Sequence, residues 1–108
     1  MKVMQMNNEQ FESQVLHGSE PVLVEFWAPW CVYCRRIAPA LDKVAQQQNG
    51  KLKVAQVNID DEPLLASREQ IEVIPTLIIY QNGEALGSIV APESKARIDD
   101  FILEHLGE

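Results

Sequence analysis

Apolar residues in this chain fall into short runs of strand length, separated by stretches where they recur every three or four positions. The clearest run is Val22–Trp27, apolar except for Glu25, as expected of a central strand covered on both faces. From residue 31 the period changes. Ile37, Ala38, Leu41, Val44 and Ala45 follow the 3.6-residue spacing, so residues 31–48 read as a helix. Pro39 predicts a kink in it, and Asn49-Gly50 ends it. Toward the N-terminus, residues 3–6 read as a short edge strand. Asn7 with Gln10 three positions on forms a capping-box pattern, opening a helix with Phe11 and Val15 on one face and Gly18 as its stop. Residues 52–59 and 76–80 read as strands. Between them, Asp60 or Asp61 is expected to cap a short helix that starts near Pro63 and carries Leu64 and Leu65 inward. Asn82-Gly83 signals a hairpin leading into a strand over Glu84–Val90. Ser94 caps a last helix with Ile98, Phe101, Ile102 and Leu106 on its inner face.

The order β-α-β-α-β-α-β-β-α defines an α/β protein, with a mostly parallel sheet, helices on both faces and an antiparallel hairpin at one edge. Sites in such sheets lie beyond the C-terminal ends of the strands. Cys31 follows the central run there by four residues. At 108 residues, residues 1–108 read as one domain, and there is no internal repeat, low-complexity tract or linker-like cluster. No apolar stretch approaches the ~20 residues needed to cross a membrane. The first residues lack the apolar core of a signal peptide, which predicts a cytoplasmic protein. The net charge of −7 argues against nucleic acid and anionic membranes, whose binders cluster Lys and Arg. Arg35 and Arg36 are the one basic spot. They read either as an exposed helix face or as a local positive potential that favours thiolates and steers acidic partners.

The chemistry lies in Trp30-Cys31-Val32-Tyr33-Cys34, which holds the chain's two cysteines. A thiol reacts as its thiolate, and a helix start favours that anion through free backbone N–H groups and the positive end of the dipole. Two intervening residues let the second sulfur swing onto the first, so the pair reads as a reversible dithiol/disulfide switch. A structural disulfide is disfavoured, because so short a ring gains little entropically. A metal site needs about four ligands, and His17 and His105 lie far from the motif. A zinc or iron–sulfur site shared by two chains stays open.

Over essentially its whole length the chain resembles the thioredoxin family. The resemblance rests on Val22-Leu23-Val24-Glu25-Phe26-Trp27-Ala28-Pro29-Trp30-Cys31, Cys34, Pro39, Val57-Asn58-Ile59-Asp60, Ile74-Pro75-Thr76-Leu77 and Asn82-Gly83-Glu84. It implies a thioredoxin fold, a central mixed sheet of about five strands flanked by four helices. It also implies thiol–disulfide exchange, with Cys31 the nucleophile, Cys34 the resolving thiol and Pro75 a cis-proline facing them. Protein disulfides would be the substrates, a separate reductase of the thioredoxin-reductase type would recharge the pair, and no cofactor would be bound. The protein would act as a monomer. A more oxidising, isomerase-like protein is the alternative within redox chemistry. A scaffold or cluster-sharing binding module is the alternative outside it.

Four positions depart from the family pattern. Val32-Tyr33 replaces Gly-Pro between the cysteines, Glu25 replaces Asp, Gln56 replaces Lys, and Ala91, followed by Pro92, replaces Gly. Val32 and Tyr33 are expected to tune the switch, with Tyr33 narrowing or anchoring a bound partner. Glu25 is expected to be buried, with a raised pKa suited to taking the proton of Cys34, and with nothing to offset the rise. A cis bond at Pro75 would expose the Ile74 backbone for pairing with an extended substrate segment. Trp30 is expected at the surface beside Cys31, and Trp27 in the core. Ile59, Val73, Ile74, Val90 and Ala91 would ring the cysteines as an apolar docking patch.

Overall fold

The computed structural model describes residues 3–107. Five strands form one sheet in the order β1-β3-β2-β4-β5: β1 (Met4–Gln5), β2 (Val22–Trp27), β3 (Lys53–Asn58), β4 (Thr76–Gln81) and β5 (Glu84–Val90). The helices are α1 (Asn8–Phe11), α2 (Val32–Gln47), α3 (Pro63–Arg68) and α4 (Lys95–Leu106). Strand β2 runs parallel to β3 and antiparallel to β4, so the sheet is mixed rather than mostly parallel. The reason lies in α3. Both the end of β3 at Asn58 and the start of β4 at Thr76 lie beside the C-terminal end of β2, paired with Trp27 and Phe26. A six-residue helix spans only ~9 Å, against ~20 Å for a six-residue strand, so the chain returns from the end it left.

Alternation along β2 divides the core. Leu23 joins Val54, Leu77 and Ile79 under α2 and α4, packing on Ile37, Leu41, Ile98 and Phe101. Val22, Val24 and Phe26 face the other way, with Val57, Ile78 and Tyr80 against Phe11, Val15 and Leu65. Glu25 belongs by register to the α2 face. It is the one charged residue buried among the apolar side chains described.

Several local expectations need correction. The first helix is a single α turn, with the expected Asn7–Gln10 capping box, that passes into a π-helical segment at Glu12–Leu16. A spacing of Phe11 to Val15 does not distinguish the two. Gly18 lies just past the His17 cap, where an added Cβ would fall 2.2 Å from the Gln14 carbonyl oxygen. Helix α2 runs from Val32 to Gln47 with Pro39 inside it, as its periodicity predicts. Neither Asp60 nor Asp61 caps α3. Its N-cap is Glu62, without a side-chain bond, and the Asn58 backbone carbonyl accepts from the N–H groups of Asp61 and Glu62. Leu64 points outward, 85% exposed, because so short a helix buries only its Leu65–Ala66 side against the sheet.

At the hairpin, Asn82 and Gly83 both hold positive φ (54° and 79°), the backbone of a type I′ turn. Ala91 also has a positive φ, 47°, and its N–H donates to the Pro75 carbonyl at 2.8 Å. A Cβ in this region is strained, so the glycine-to-alanine departure carries a cost. Ala91→Gly is expected to raise stability by about 0.5–1 kcal/mol, the relief of the left-handed strain less the extra unfolded-state entropy of glycine. Urea unfolding of the two proteins side by side checks this, and a loss of stability would refute it.

Candidate active site

The site is assembled at the C-terminal end of β2. Cys31 is the N-cap residue of α2, with extended backbone (φ −81°, ψ 117°), and its Sγ accepts the N–H of Cys34 at 3.1 Å. This is the capping position that Ser or Asp often fills, occupied by a sulfur. The same Sγ lies 3.9 Å from the Ile74 carbonyl oxygen, next to the cis Ile74–Pro75 peptide. Both cysteines are free thiols.

Accessibility hardly separates the two sulfurs. Cys31 is only 6% exposed and Cys34 3%. Their surroundings do separate them. The Cys34 thiol is pushed up to about 12, first by burial and then by its hydrogen bond with Cys31, with the charge of Glu25 adding to the rise. It therefore stays protonated at neutral pH.

Glu25 is 1% exposed, and its carboxyl is pushed up to about 7, chiefly by burial. Asp42 adds to the rise. Gln56 opposes it, because its Nε2 donates to Glu25 Oε1 at 2.6 Å. The expectation that nothing offsets the rise is thus corrected. The Gln56 Oε1 in turn accepts from Gln5 Nε2, so an amide pair crosses from β1 through β3 to β2, following the register Gln5↔Gln56↔Glu25. Glu25 Oε2 and Trp27 Nε1 are buried with no hydrogen-bond partner among the described residues. Gln56→Lys should replace this neutral donor by a cation and lower the Glu25 titration point by about one to two pH units. Carboxyl-carbon NMR reads it directly, and an unmoved midpoint would exclude Gln56 as a determinant of this charge.

Trp30, Val32, Tyr33, Val73 and Val90 are exposed, while Ile59, Ile74 and Ala91 are half-buried. Ile59 and Ile74 pack directly on the cluster of Ala28, Cys31 and Cys34. Trp27 packs there too but is half-buried, not fully in the core as expected. Ala91 reaches the site through its bond to Pro75. Sequence reasoning missed two residues. Asp60 accepts the indole N–H of Trp30 at 2.9 Å, which explains why it is not free to cap α3. Gln5 bonds to Gln56, a link that depends on the β1–β3 register and has no signal in the sequence. Among the described residues, no group of three or more His, Cys, Asp or Glu side chains is arranged to hold a metal, and no helix is long and apolar enough to cross a membrane. Three clefts of about 380, 470 and 270 Å³ are lined by residues such as Pro21, Leu52 and Lys53, and none touches the cysteines.

A Cys-x-x-Cys pair of free thiols stands at a helix N-terminus, over the end of the central strand of this sheet, an arrangement suited to thiol–disulfide exchange. Comparison with known proteins agrees. The thioredoxin family profile matches residues 2–104. The chain is 42% identical over 102 residues to "Thioredoxin 1" of Nostoc sp., covering 94% of this chain and 95% of that protein. It is 43% identical over 96 residues to "Thioredoxin 1" of Synechococcus elongatus, covering 89% and 90%. It is 36% identical over 105 residues to "Thioredoxin" of Haemophilus influenzae, covering 97% and 98%. The chain belongs to the thioredoxin family. Its activity is thiol–disulfide exchange, and the matches do not favour the isomerase-like, scaffold or cluster-sharing alternatives.

Proposed function

We propose that this chain, acting as a single monomeric domain, reduces disulfides in other proteins through Cys31 and Cys34 and is then recharged by a separate thioredoxin-reductase-type enzyme. The observation that carries this is the Cys34 N–H bond to Cys31 Sγ at the start of α2, which stabilises a thiolate on one sulfur, while the other thiol is held protonated. The Cys31 thiolate attacks one sulfur of the substrate disulfide, forming a mixed disulfide and releasing the first substrate thiolate. Cys34 gives its proton to Glu25 and attacks Cys31 Sγ, expelling the second substrate thiolate. Two electrons pass to the substrate and the chain is left as the Cys31–Cys34 disulfide. The two thiols carry both electrons, so no resident cofactor is needed.

Trp30, Val32, Tyr33, Ile59, Val73, Ile74, Val90 and Ala91 form the docking surface. Pro75 places the Ile74 carbonyl beside Cys31 for backbone pairing with an extended substrate segment. An exposed apolar surface suits a protein partner better than a small molecule, which needs an enclosing pocket. We place the cycle in the cytoplasm, a reducing compartment where a chain whose two cysteines both serve exchange has no structural disulfide to lose. The test is stoichiometric reaction of the reduced protein with a disulfide-bonded protein, quenched by alkylation and read by mass. Transfer of the disulfide to Cys31–Cys34 is expected, and a substrate left oxidised would refute the reading.

A further inference from the structure

The exchange chemistry leaves Arg35 and Arg36 without a role, although they are the basic spot of an acidic chain. The chain has four arginines. Arg68 lies against Glu12 and Glu69, and Arg97 pairs with Glu104. Among the described residues, Arg35 and Arg36 make no ion pair. The helix explains it. Three and four positions either side of Arg36 stand Val32, Tyr33, Pro39 and Ala40, so no carboxylate is within the reach of a helical pair. Arg35 turns back, its Nη1 donating to the Pro29 carbonyl at 2.9 Å. Arg36 instead lies over the Tyr33 ring, with Cζ 5.3 Å from its centroid.

That stacking has a chemical consequence. Tyr33 is 60% exposed, so the pair sits at the surface, one residue from Cys34. An aromatic ring engages the flat face of a guanidinium and leaves its N–H donors free in the plane. Those donors form a fork matched to a carboxylate, and the ring limits the conformations the fork can take. A chain of net charge −7 thus keeps an unneutralised cation, packed over Tyr33, on the first turns of the helix that Cys31 caps. The nearest acidic run in the sequence around the site, Asp60-Asp61-Glu62, is on the β3–α3 loop and is tied to Trp30 through Asp60.

We propose that Tyr33 and Arg36 form a carboxylate-reading site on the first turns of α2, which selects disulfide substrates carrying aspartate or glutamate in the segment flanking the attacked cysteine. The proposal rests on the reading that the cysteines reduce protein disulfides. The substrate carboxylate would pair with the Arg36 fork while the apolar patch holds the neighbouring side chains. Selection arises as the mixed disulfide forms, because only then is the flanking segment held against α2.

The test uses reduced protein and three peptides, each closed by one internal disulfide and identical except for Glu, Gln or Lys next to the reactive cysteine. The readout is the ratio of their reduction rates. A single partly exposed pair predicts that the Glu peptide reacts about fivefold faster than the Lys peptide at low ionic strength. High salt should shrink the ratio. Arg36→Glu should invert the order, and Arg36→Gln should bring the ratio close to one. Tyr33→Phe should keep the preference and Tyr33→Ala should weaken it. An unchanged order in Arg36→Glu would overturn the proposal, as would an equal change in all three rates, which would assign Arg36 to the thiolates. A wild-type preference for the Lys peptide would overturn it in favour of the acidic β3–α3 loop. If no peptide were reduced at all, the reaction assigned to the cysteines would fail, and this selectivity with it.

Discussion

Cys31→Ser is expected to reduce exchange to the uncatalysed background and to trap no partner, whereas Cys34→Ser should accumulate mixed disulfides. The asymmetry comes from the surroundings of two sulfurs that are almost equally buried. The Cys31 sulfur receives a backbone N–H at the helix start, which favours its anion. The Cys34 thiol, pushed up to about 12, is almost wholly protonated at pH 7. In Cys34→Ser the attacking thiolate survives but nothing resolves the bond it makes, so each molecule stops after one turn joined to its substrate. In Cys31→Ser the remaining thiol is the one the fold holds neutral. Alkylation followed by mass should show rapid modification at Cys31 and slow modification at Cys34. Equal trapping by both variants would remove the distinction between attacking and resolving thiol.

Glu25 should couple stability and chemistry to pH. Its carboxyl is pushed up from 4.5 to about 7, chiefly by burial, so the folded chain holds this proton more tightly than the unfolded chain. Stability attributable to Glu25 is therefore highest below pH 4.5, falls as pH rises from 4.5 to 7, and stays low above that. The gap, at ~1.4 kcal/mol per pH unit, amounts to about 3 kcal/mol of destabilisation at pH 8. Glu25→Leu should remove it, so the two stability curves should lie close together at pH 4 and separate by about that amount at pH 8. The same variant should resolve mixed disulfides more slowly, because Cys34 loses the base that takes its proton. Urea unfolding across this pH range, with quenched-flow trapping of the mixed disulfide, measures both effects. Parallel stability curves would return Glu25 to an ordinary, solvated titration, and an unchanged resolution rate would remove it from proton transfer.

The periodic parts of the chain were legible from the sequence. Strand β2 and helix α2 carry strong apolar patterns, and Cys31 falls where one gives way to the other. The Asn7 capping box, the Asn82-Gly83 turn and the Ser94 cap are local hydrogen-bond or backbone choices that nearby residues dictate. Failures came where a distant partner competes for a side chain. Asp60 suits an N-cap by itself, but the Trp30 indole claims its carboxylate from thirty residues away. Leu64 and Leu65 are equally apolar, and only the length and placement of α3 decide which is covered. The direction of β4 depends on where α3 ends in space. At the site, the burial of Glu25 could be read from its neighbours, but the Gln56–Gln5 chain that supports it could not, because it needs the register of three strands.

The most direct measurement equilibrates the protein in buffers of graded dithiol-to-disulfide ratio, then counts free thiols by alkylation and mass. One two-electron transition is expected, between a form with both thiols free and a monomeric form with Cys31 joined to Cys34, the same from either direction. For such a couple every ~30 mV changes the equilibrium constant tenfold, so the midpoint also gives the driving force toward protein disulfides. A chain that stays fully reduced across the series, or that oxidises only by joining to a second copy, would contradict a reversible Cys31–Cys34 switch.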